Sequence, residues 1–162
     1  MYEHTIIHAL QLMCDQHGCY IEVVTHNTLH LSKDPYGSFV VQHVLKLCDL
    51  HCTYNTAVNL GGHCVELSFK KYGSYIVEKL LETEESMILV VAELLECKVD
   101  RLMRLARSEY GKFVVVKALR VTQEEMITAY LFWGLVHKLM PFHHLLRNSR
   151  GSTIAAILES TC

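Results

Sequence analysis

A short motif recurs along the sequence at nearly constant intervals, and this repetition limits the possible folds more than any other feature. The motif is aromatic-Gly-x-aromatic, and its three clear copies centre on Gly37, Gly73 and Gly111, which are 36 and 38 residues apart. Weaker copies surround Gly18, 19 residues before the first clear copy, and Gly151, 40 residues after the last. A period of this length is typical of helical repeat proteins, in which each unit packs on its neighbours.

Between the glycines, the apolar residues follow a helical rather than a strand period. The two clearest sets are Val40, Val41, Val44 and Leu45, and Ile76, Val77, Leu80 and Leu81. Asp34 and Pro35 resemble an N-cap followed by proline at the first helical position, and Pro141 interrupts the chain before a last segment. The sequence therefore predicts one all-α domain, 1–162, with about four repeats, of which the first is truncated, and a C-terminal cap.

Composition argues against several classes of protein. Apolar residues make up 51% of the chain and charged residues 20%, which predicts a globular protein. The formal net charge of -2 disfavours a strongly basic nucleic-acid-binding protein. Eleven histidines weaken this argument, because each can gain a positive charge near pH 6.5. Glu3 and the lack of a basic region disfavour a signal peptide, and the apolar run at 127–136 is too short to span a bilayer. Seven cysteines without a C-x-x-C pair predict reduced, mostly buried thiols.

The second clear copy of the motif would carry an unusual polar face. On a helix, Ser74, Tyr75 and Glu78 share one side, whereas Ile76 and Leu80 lie on the opposite, apolar side. A hydroxyl and a carboxylate one turn apart, next to a flat ring, can contact both the edge and the face of one planar ligand. This face is therefore a candidate binding site.

The same offsets recur in the other two clear copies. The equivalent triplets are Ser38, Phe39 and Gln42, and Lys112, Phe113 and Val116. Any amphipathic helix has a polar side, but an aromatic ring on that side in three units is costly to leave in water without a partner. Recurrence thus favours binding over ordinary solvated surface. The tyrosines before the glycines, Tyr36, Tyr72 and Tyr110, are predicted to pack between units, and the glycines to mark close helix approach.

These segments resemble the Pumilio family of RNA-binding repeat proteins. The resemblance is carried in order by DPYGSFVVQHVL, KKYGSYIVEKLL, SEYGKFVVVKAL and HHLLRNSRGSTIAAILES. The chain resembles the C-terminal half of a Pumilio domain in a divergent, truncated and plant-like form. The resemblance implies a right-handed α-solenoid of three-helix repeats that forms a short crescent, in which each repeat reads one RNA base with two or three side chains.

The resemblance also implies which residues contact RNA. The residues expected at base edges are Ser38, Gln42, Ser74, Glu78, Lys112, Val116 and Cys19. The residues expected to stack on bases are Phe39, Tyr75, Phe113 and Tyr20. By the family pattern, Ser38 with Gln42 would prefer adenine and Ser74 with Glu78 would prefer guanine. Because RNA runs antiparallel to the protein in this family, the expected core is 5′-x-G-A-3′.

The chain departs from the family pattern in three places. Lys112 and Val116 replace an asparagine and a glutamine, which leaves this unit with stacking through Phe113. Ser38 replaces the usual asparagine, which implies a preference switched away from uracil. The short spacing before Gly37 indicates that about 17 residues, a helix and its loop, are missing there, and Val23 stands at the amide position of that copy.

The function that the resemblance implies is binding of single-stranded mRNA, in 3′ untranslated regions, to regulate translation or stability. Phosphate contacts are predicted for six basic residues: Lys70, Lys71, Lys79, Arg107, Lys112 and Lys117. Further implications are a monomer, protein co-repressors as partners, no membrane, and a cytoplasmic location with the nucleus as an alternative. A second hypothesis is a helical protein-interaction scaffold that has lost RNA binding, which the slightly acidic charge favours.

Other chemistry is not expected. The chain contains no H-E-x-x-H, no Gly-rich phosphate loop and no G-x-S-x-G, so an enzyme is not predicted. Cys48, His51 and Cys52 lie on one helical stretch, but no second pair with zinc-finger spacing completes a site, so neither a metal nor a cofactor is expected.

Overall fold

A computed structural model describes residues 24–47 and 50–161 of the chain, and these residues form helices and turns without a strand. The first unit comprises α1 (Thr28–Ser32), α2 (Pro35–Leu47) and α3 (Leu50–Asn59). The second unit comprises α4 (Cys64–Ser68), α5 (Lys71–Leu80) and α6 (Glu84–Glu96). The third unit comprises α7 (Val99–Ala106), α8 (Gly111–Glu124), a 3₁₀ turn (Met126–Thr128) and α9 (Ala129–Leu139). A second 3₁₀ turn (Met140–Phe142), which contains Pro141, leads to α10 (His143–Arg147) and α11 (Ser152–Ser160).

Corresponding helices of successive units pack side by side in two rows. The middle row consists of α2, α5, α8 and α11, each packed on the next, and the third-helix row consists of α3, α6 and α9. The short helices α1, α4, α7 and α10 pack against the middle helices that follow them. This stack of three-helix units is an α-solenoid, as predicted.

The core lies along the length of the stack and uses the residues that the helical period selected. Ile76, Val77 and Leu80 are fully buried, and Val41 and Val44 occupy the same place in the first unit. Burying a side chain of this size contributes about 1.5–3 kcal/mol. The apolar stripe of each middle helix therefore holds that helix against its unit and its neighbours.

The repeated glycines lie where a short helix touches the middle helix after it. A Cβ atom on Gly37 would collide with the backbone carbonyl of Leu31, and a Cβ atom on Gly73 would collide with that of Leu67. Gly111 occupies the same place in the third unit. Because a backbone oxygen cannot move aside as a flexible side chain can, these positions require glycine. The predicted close helix approach is confirmed.

The middle helix α2 begins with a side-chain cap, and a serine three residues upstream bonds the first N–H of α8, whose N-cap residue Tyr110 forms no side-chain cap bond. The Asp34 carboxylate accepts a hydrogen bond of 2.7 Å from the Gly37 N–H, which confirms the predicted N-cap. The Ser108 hydroxyl accepts one of 3.0 Å from the Gly111 N–H. In the second unit Lys70 stands at the cap of α5 without a side-chain cap bond. The start of α5 therefore depends on packing more than on capping.

The cysteines in the described part of the chain are thiols. Cys52 and Cys64 are buried and Cys97 is half-buried. Burial raises the pKa of Cys64 far above its usual range, with the Glu93 carboxylate adding to the effect, and burial also raises the pKa of Cys97. A raised pKa keeps these groups protonated and poorly nucleophilic.

Within residues 24–47 and 50–161, no group of three or more His, Cys, Asp or Glu side chains is placed to hold a metal ion. Cys48, from the weak candidate set noted above, lies outside the described residues, as do Gly18, Cys19, Tyr20 and Val23. None of the described helices is both long enough and apolar enough to cross a membrane.

Candidate nucleic-acid interface

Three aromatic rings occupy equivalent positions near the starts of α2, α5 and α8. Tyr75 is 38% exposed and Phe113 is 53% exposed, whereas Phe39 is half-buried. Each ring follows its glycine by two residues, and the three helices stand side by side in the middle row. The rings therefore lie along one surface at intervals of one unit, and the second and third are open to a ligand.

A further ring connects the first two units. The Tyr72 ring meets the Phe39 ring edge-on at 5.9 Å between centroids, and it meets the Tyr75 ring edge-on at 6.5 Å. Tyr72 therefore packs between units, as predicted. The same prediction is wrong for Tyr36, which is 64% exposed and contacts no ring in the described part of the chain. Tyr110 is half-buried and also contacts no ring within 24–47 and 50–161, although Tyr75 lies one unit before it.

The two serines of the predicted site are less accessible than the helical period indicated. Ser38 is fully buried; its hydroxyl donates a 3.3 Å hydrogen bond to the Tyr72 carbonyl and accepts one of 3.1 Å from the Gln42 amide. Ser74 is 2% exposed and donates a 2.8 Å hydrogen bond to the Lys71 carbonyl. The expectation of exposed hydroxyls is wrong because a residue next to the repeated glycine lies where two backbones converge. Contact of these serines with a base edge stays a prediction.

Among the predicted site residues of the second unit, Glu78 has hydrogen-bonding capacity left for a ligand. It lies one turn after Ser74, is half-buried, and has no hydrogen bond or ion pair within 24–47 and 50–161. Burial raises the pKa of Glu78; Lys117 opposes this rise, and the charge of Glu82 adds to it. A half-buried carboxylate with open acceptor positions next to an exposed ring can accept hydrogen bonds from the edge of a stacked base.

A charge network joins the second and third units one turn further along. Lys117 on α8 contacts Glu82 at 2.9 Å, and Lys79 contacts the same carboxylate at 3.2 Å. Burial tends to raise the pKa of Glu82, but hydrogen bonds from Lys117 and Lys79 outweigh it, so the pKa is lowered. Sequence reasoning missed Glu82, although its position one turn after Glu78 was a usable signal. Two of the six basic residues predicted to contact phosphates, Lys79 and Lys117, are thus already paired with a carboxylate.

The third unit presents different chemistry at the equivalent positions. The Lys112 ammonium lies over the Phe113 ring, 4.9 Å from its centroid, and Val116 is partly buried against the core. A cation over an aromatic face at this distance is attracted by about 0.5–1 kcal/mol at an exposed site. A base stacking on that face must therefore displace the Lys112 side chain. Val116 supplies no hydrogen bond, so this unit offers a ring without an edge-reading pair.

The geometry can be compared with known proteins. The sequence model of the Pumilio-family RNA binding repeat matches residues 8–21, 27–52 and 63–95. Pumilio homolog 18 of Arabidopsis thaliana is 60% identical over 178 residues, covering 99% of this chain and 54% of the homolog. Pumilio homolog 19 of the same plant is 59% identical over 178 residues, with the same two coverages. A solved Puf4 double mutant bound to the Cox17 RNA 3′ UTR recognition sequence matches with a TM-score of 0.73 at 25% identity, covering 89% of this chain and 50% of that one.

The comparisons also show how much of its relatives this chain covers and that it is shorter than them within the matched region. The chain spans about half the length of the curated relatives that it matches. The match to homolog 19 extends over 178 residues although this chain has 162, so the homolog carries at least 16 residues in the matched region that this chain lacks. That number is close to the gap of about 17 residues predicted before Gly37, and the location of the gap stays a prediction.

Proposed function

This chain belongs to the Pumilio family, and from that premise we propose that it binds single-stranded RNA along the middle row, with one base at each unit. The observation that carries the proposal is the row of Phe39, Tyr75 and Phe113 at equivalent positions of three packed helices. Each base has an aromatic face, so a row of partly exposed rings at regular spacing fits a flexible single strand better than a duplex.

The proposed base assignment differs from unit to unit. Glu78 accepts hydrogen bonds from the Watson–Crick N–H groups of guanine stacked near Tyr75, and its open acceptor positions support this. In the first unit Gln42 presents an amide next to Phe39 and prefers adenine, with Ser38 fixing the amide through their 3.1 Å hydrogen bond. The third unit stacks a base on Phe113 without a preference.

The affinity expected of this arrangement is modest. Stacking contributes about 1–3 kcal/mol per base, and three rings must offset an association cost of about 4–15 kcal/mol. We expect a dissociation constant in the micromolar range or weaker. Fluorescence anisotropy with a short labelled RNA containing 5′-GA-3′ measures it directly. The matched controls are the same RNA in a duplex and an RNA with cytosine in place of guanine, both of which should bind more weakly. Equal binding of all three would overturn the proposal.

We extend the proposal to regulation of mRNA through 3′ untranslated regions, where the bound chain lowers translation or transcript stability with protein co-repressors. It acts as a monomer in the cytoplasm, with the nucleus as the alternative compartment. A reporter mRNA carrying the selected site in its 3′ untranslated region tests this. Co-expression of the chain should lower reporter protein, and replacing the guanine of the site should abolish the effect. A reporter that ignores the chain despite measurable binding would restrict the function to RNA binding.

A second candidate function is a scaffold for protein interaction. Large apolar side chains are exposed near the start of α9: Met126 at 94%, Ile127 at 73%, Tyr130 at 64% and Trp133 at 46%. An exposed cluster of this kind favours a protein partner over nucleic acid. Salt dependence separates the two functions, because RNA binding weakens steeply with added salt and apolar binding does not.

A further inference from the structure

Three arginines converge at the junction between the third unit and the C-terminal helix pair. Arg104, Arg107, Ser149 and Arg150 line one open pocket. Arg104 lies in the last turn of α7, Arg107 caps that helix, and Arg150 lies in the turn between α10 and α11. The pocket thus joins residues that are far apart along the chain.

The two sides of this pocket approach each other closely at Gly151. A Cβ atom on Gly151 would lie 3.1 Å from the backbone carbonyl of Ala106, the last residue of α7. The absence of a side chain allows the α10–α11 turn to approach the end of α7 closely. Arg150 and Arg107, the residues next to these two, are therefore brought to the same place by the backbone, so their proximity does not depend on flexible side chains.

The pocket carries positive charge without a matching acid. None of the three arginines forms an ion pair within 24–47 and 50–161, and no Asp or Glu lines the pocket. Nearby Arg147, by contrast, is paired with Glu159. The Ser149 hydroxyl is occupied, since it donates to the Leu146 carbonyl and accepts from the Gly151 N–H. Guanidinium groups that share a concave site repel one another until an anion binds, and their planar donors match phosphate oxygens.

The pocket lies near the first residues of two middle-row helices, α8 and α11. Arg107 precedes the first residue of α8 by four residues, and Arg150 precedes the first residue of α11 by two. These two helices are neighbours in the middle row, and Phe113 lies in the first turn of α8. A strand that follows the rings from α5 to α8 and continues toward α11 must pass these loops.

We propose that this pocket binds one backbone phosphate of the RNA strand, next to the nucleotide that lies over Phe113 and on the side of α11. The inference rests on the proposed function. It gives the third unit, which lacks an edge-reading pair, a way to hold the strand through charge. The site contributes affinity without base preference, because a phosphate is the same in every nucleotide.

Substitution within the full chain tests the pocket. The variant Arg104→Gln/Arg150→Gln removes two charges from it, and Arg101→Gln removes one exposed charge from the same helix outside it. We expect the pocket variant to bind the 5′-GA-3′ RNA about tenfold more weakly at low salt, with a salt slope shallower by about 0.7. The ratio between the affinities for the guanine-containing RNA and for the RNA with cytosine in its place should not change. The control variant should bind within about twofold of the wild type, because an isolated exposed charge contributes little.

A scan of the RNA gives a test that does not depend on variant folding. Each RNA carries one uncharged methylphosphonate linkage, and the wild-type chain should lose affinity at a single linkage beyond the Phe113 nucleotide. The pocket variant should be indifferent to that linkage. If the wild type binds no RNA, the proposed function and this inference are both wrong. If the wild type binds but no such linkage matters, or the pocket variant keeps its salt slope, only the inference is wrong. Saturable binding of a phosphoserine peptide without any effect of the neutral linkage would likewise overturn it.

Discussion

The second and third units share a scaffold but differ in the chemistry of the side that carries the aromatic ring. Both middle helices begin at a glycine-dependent contact, bury an apolar stripe and carry a ring two residues after the glycine. In α5 the ring is accompanied by Glu78 with open acceptor positions, whereas in α8 it is covered by Lys112 and accompanied by Val116. The matched segments of the Pumilio repeat end at residue 95, before the third unit begins.

The comparison indicates that the scaffold and the ring-bearing side are constrained separately. A change at the glycine or in the apolar stripe disturbs contacts with two neighbouring units, so its cost spreads through the stack. A change at the position of Glu78 or Val116 affects a partly exposed side chain on one helix, so we expect it to disturb the stack less. The third unit, which carries Val116 where the second unit carries Glu78, still packs on both of its neighbours.

The largest expected effect is on the shared scaffold. Gly73→Ala and Gly111→Ala should each lower the melting temperature by about 5–10 °C, because overpacking costs about 1–3 kcal/mol and the backbone carbonyl cannot yield. Thermal unfolding followed by circular dichroism measures this. The control is Gly134→Ala, where an added Cβ would meet only the Leu95 side chain, at 3.2 Å, and the loss should be smaller. If Gly73→Ala lowered the melting temperature and Gly111→Ala did not, the two glycines would not be equivalent.

The next effect separates the two rings. Tyr75→Ala should weaken RNA binding by about 1–3 kcal/mol, the usual contribution of base stacking. Phe113→Ala should cost less, because a base on Phe113 must first displace the Lys112 ammonium, worth about 0.5–1 kcal/mol. Anisotropy titration of both variants measures the difference. Tyr130→Ala removes a tyrosine that is more exposed than Tyr75 from the third-helix row and should leave RNA binding unchanged. A larger loss for Phe113→Ala would reverse our ranking of the units.

A smaller effect concerns base preference in the second unit. Glu78→Gln should reduce the preference for guanine over adenine about tenfold, because an acceptor-only carboxylate becomes an amide. The melting temperature should stay the same or rise, since the raised pKa of Glu78 shows that its ionised form is disfavoured in the folded chain. Glu82→Gln is the matched control and should keep the guanine preference. An unchanged preference in Glu78→Gln would remove Glu78 from the recognition site.

The reverse substitution sharpens the comparison. Val116→Gln places an amide one turn after Lys112, and Lys112→Asn frees the Phe113 ring; together they should give the third unit a base preference of about threefold to tenfold. Selection from a random RNA pool, run in parallel with the wild-type chain, reports the preference at each position. A new preference is expected at the position of this unit and nowhere else. An unchanged selection would show that more than these side chains separates the units.

The smallest effect is on pH dependence. Because the folded-state pKa of Glu78 is raised, its carboxylate takes up a proton at a higher pH than an ordinary glutamate, whose pKa is about 4.3. The guanine preference should therefore weaken as the pH is lowered, and this weakening should begin at a pH above the pKa of an ordinary glutamate. Lys117→Ala removes the charge that opposes the rise and should move the loss to higher pH. The ratio of guanine to adenine RNA affinities, measured as a function of pH, checks both statements, and Glu78→Gln should show no such dependence.

Much of the scaffold follows from the sequence because it depends on local rules. The glycine spacing, the helical period of residues such as Ile76 and Leu80, and the Asp34 cap each predict a feature that the structure confirms. The ring positions follow in the same way, because a repeated offset on packed, equivalent helices must fall on one surface. The accessibility of Ser38 does not follow, because a helical period gives the direction of a side chain on its own helix and ignores the neighbouring unit.

The amino-acid sequence by itself determined that the chain is a stack of helical units with a ring repeated on one side, because these properties depend on spacing within a single helix and on the steric need for glycine. Only the tertiary structure decided which polar groups remain free. Packing buried the serines, paired Lys117 with Glu82 and brought Arg107 and Arg150 to one pocket. Each of these outcomes joins residues of different helices or depends on how closely two backbones approach.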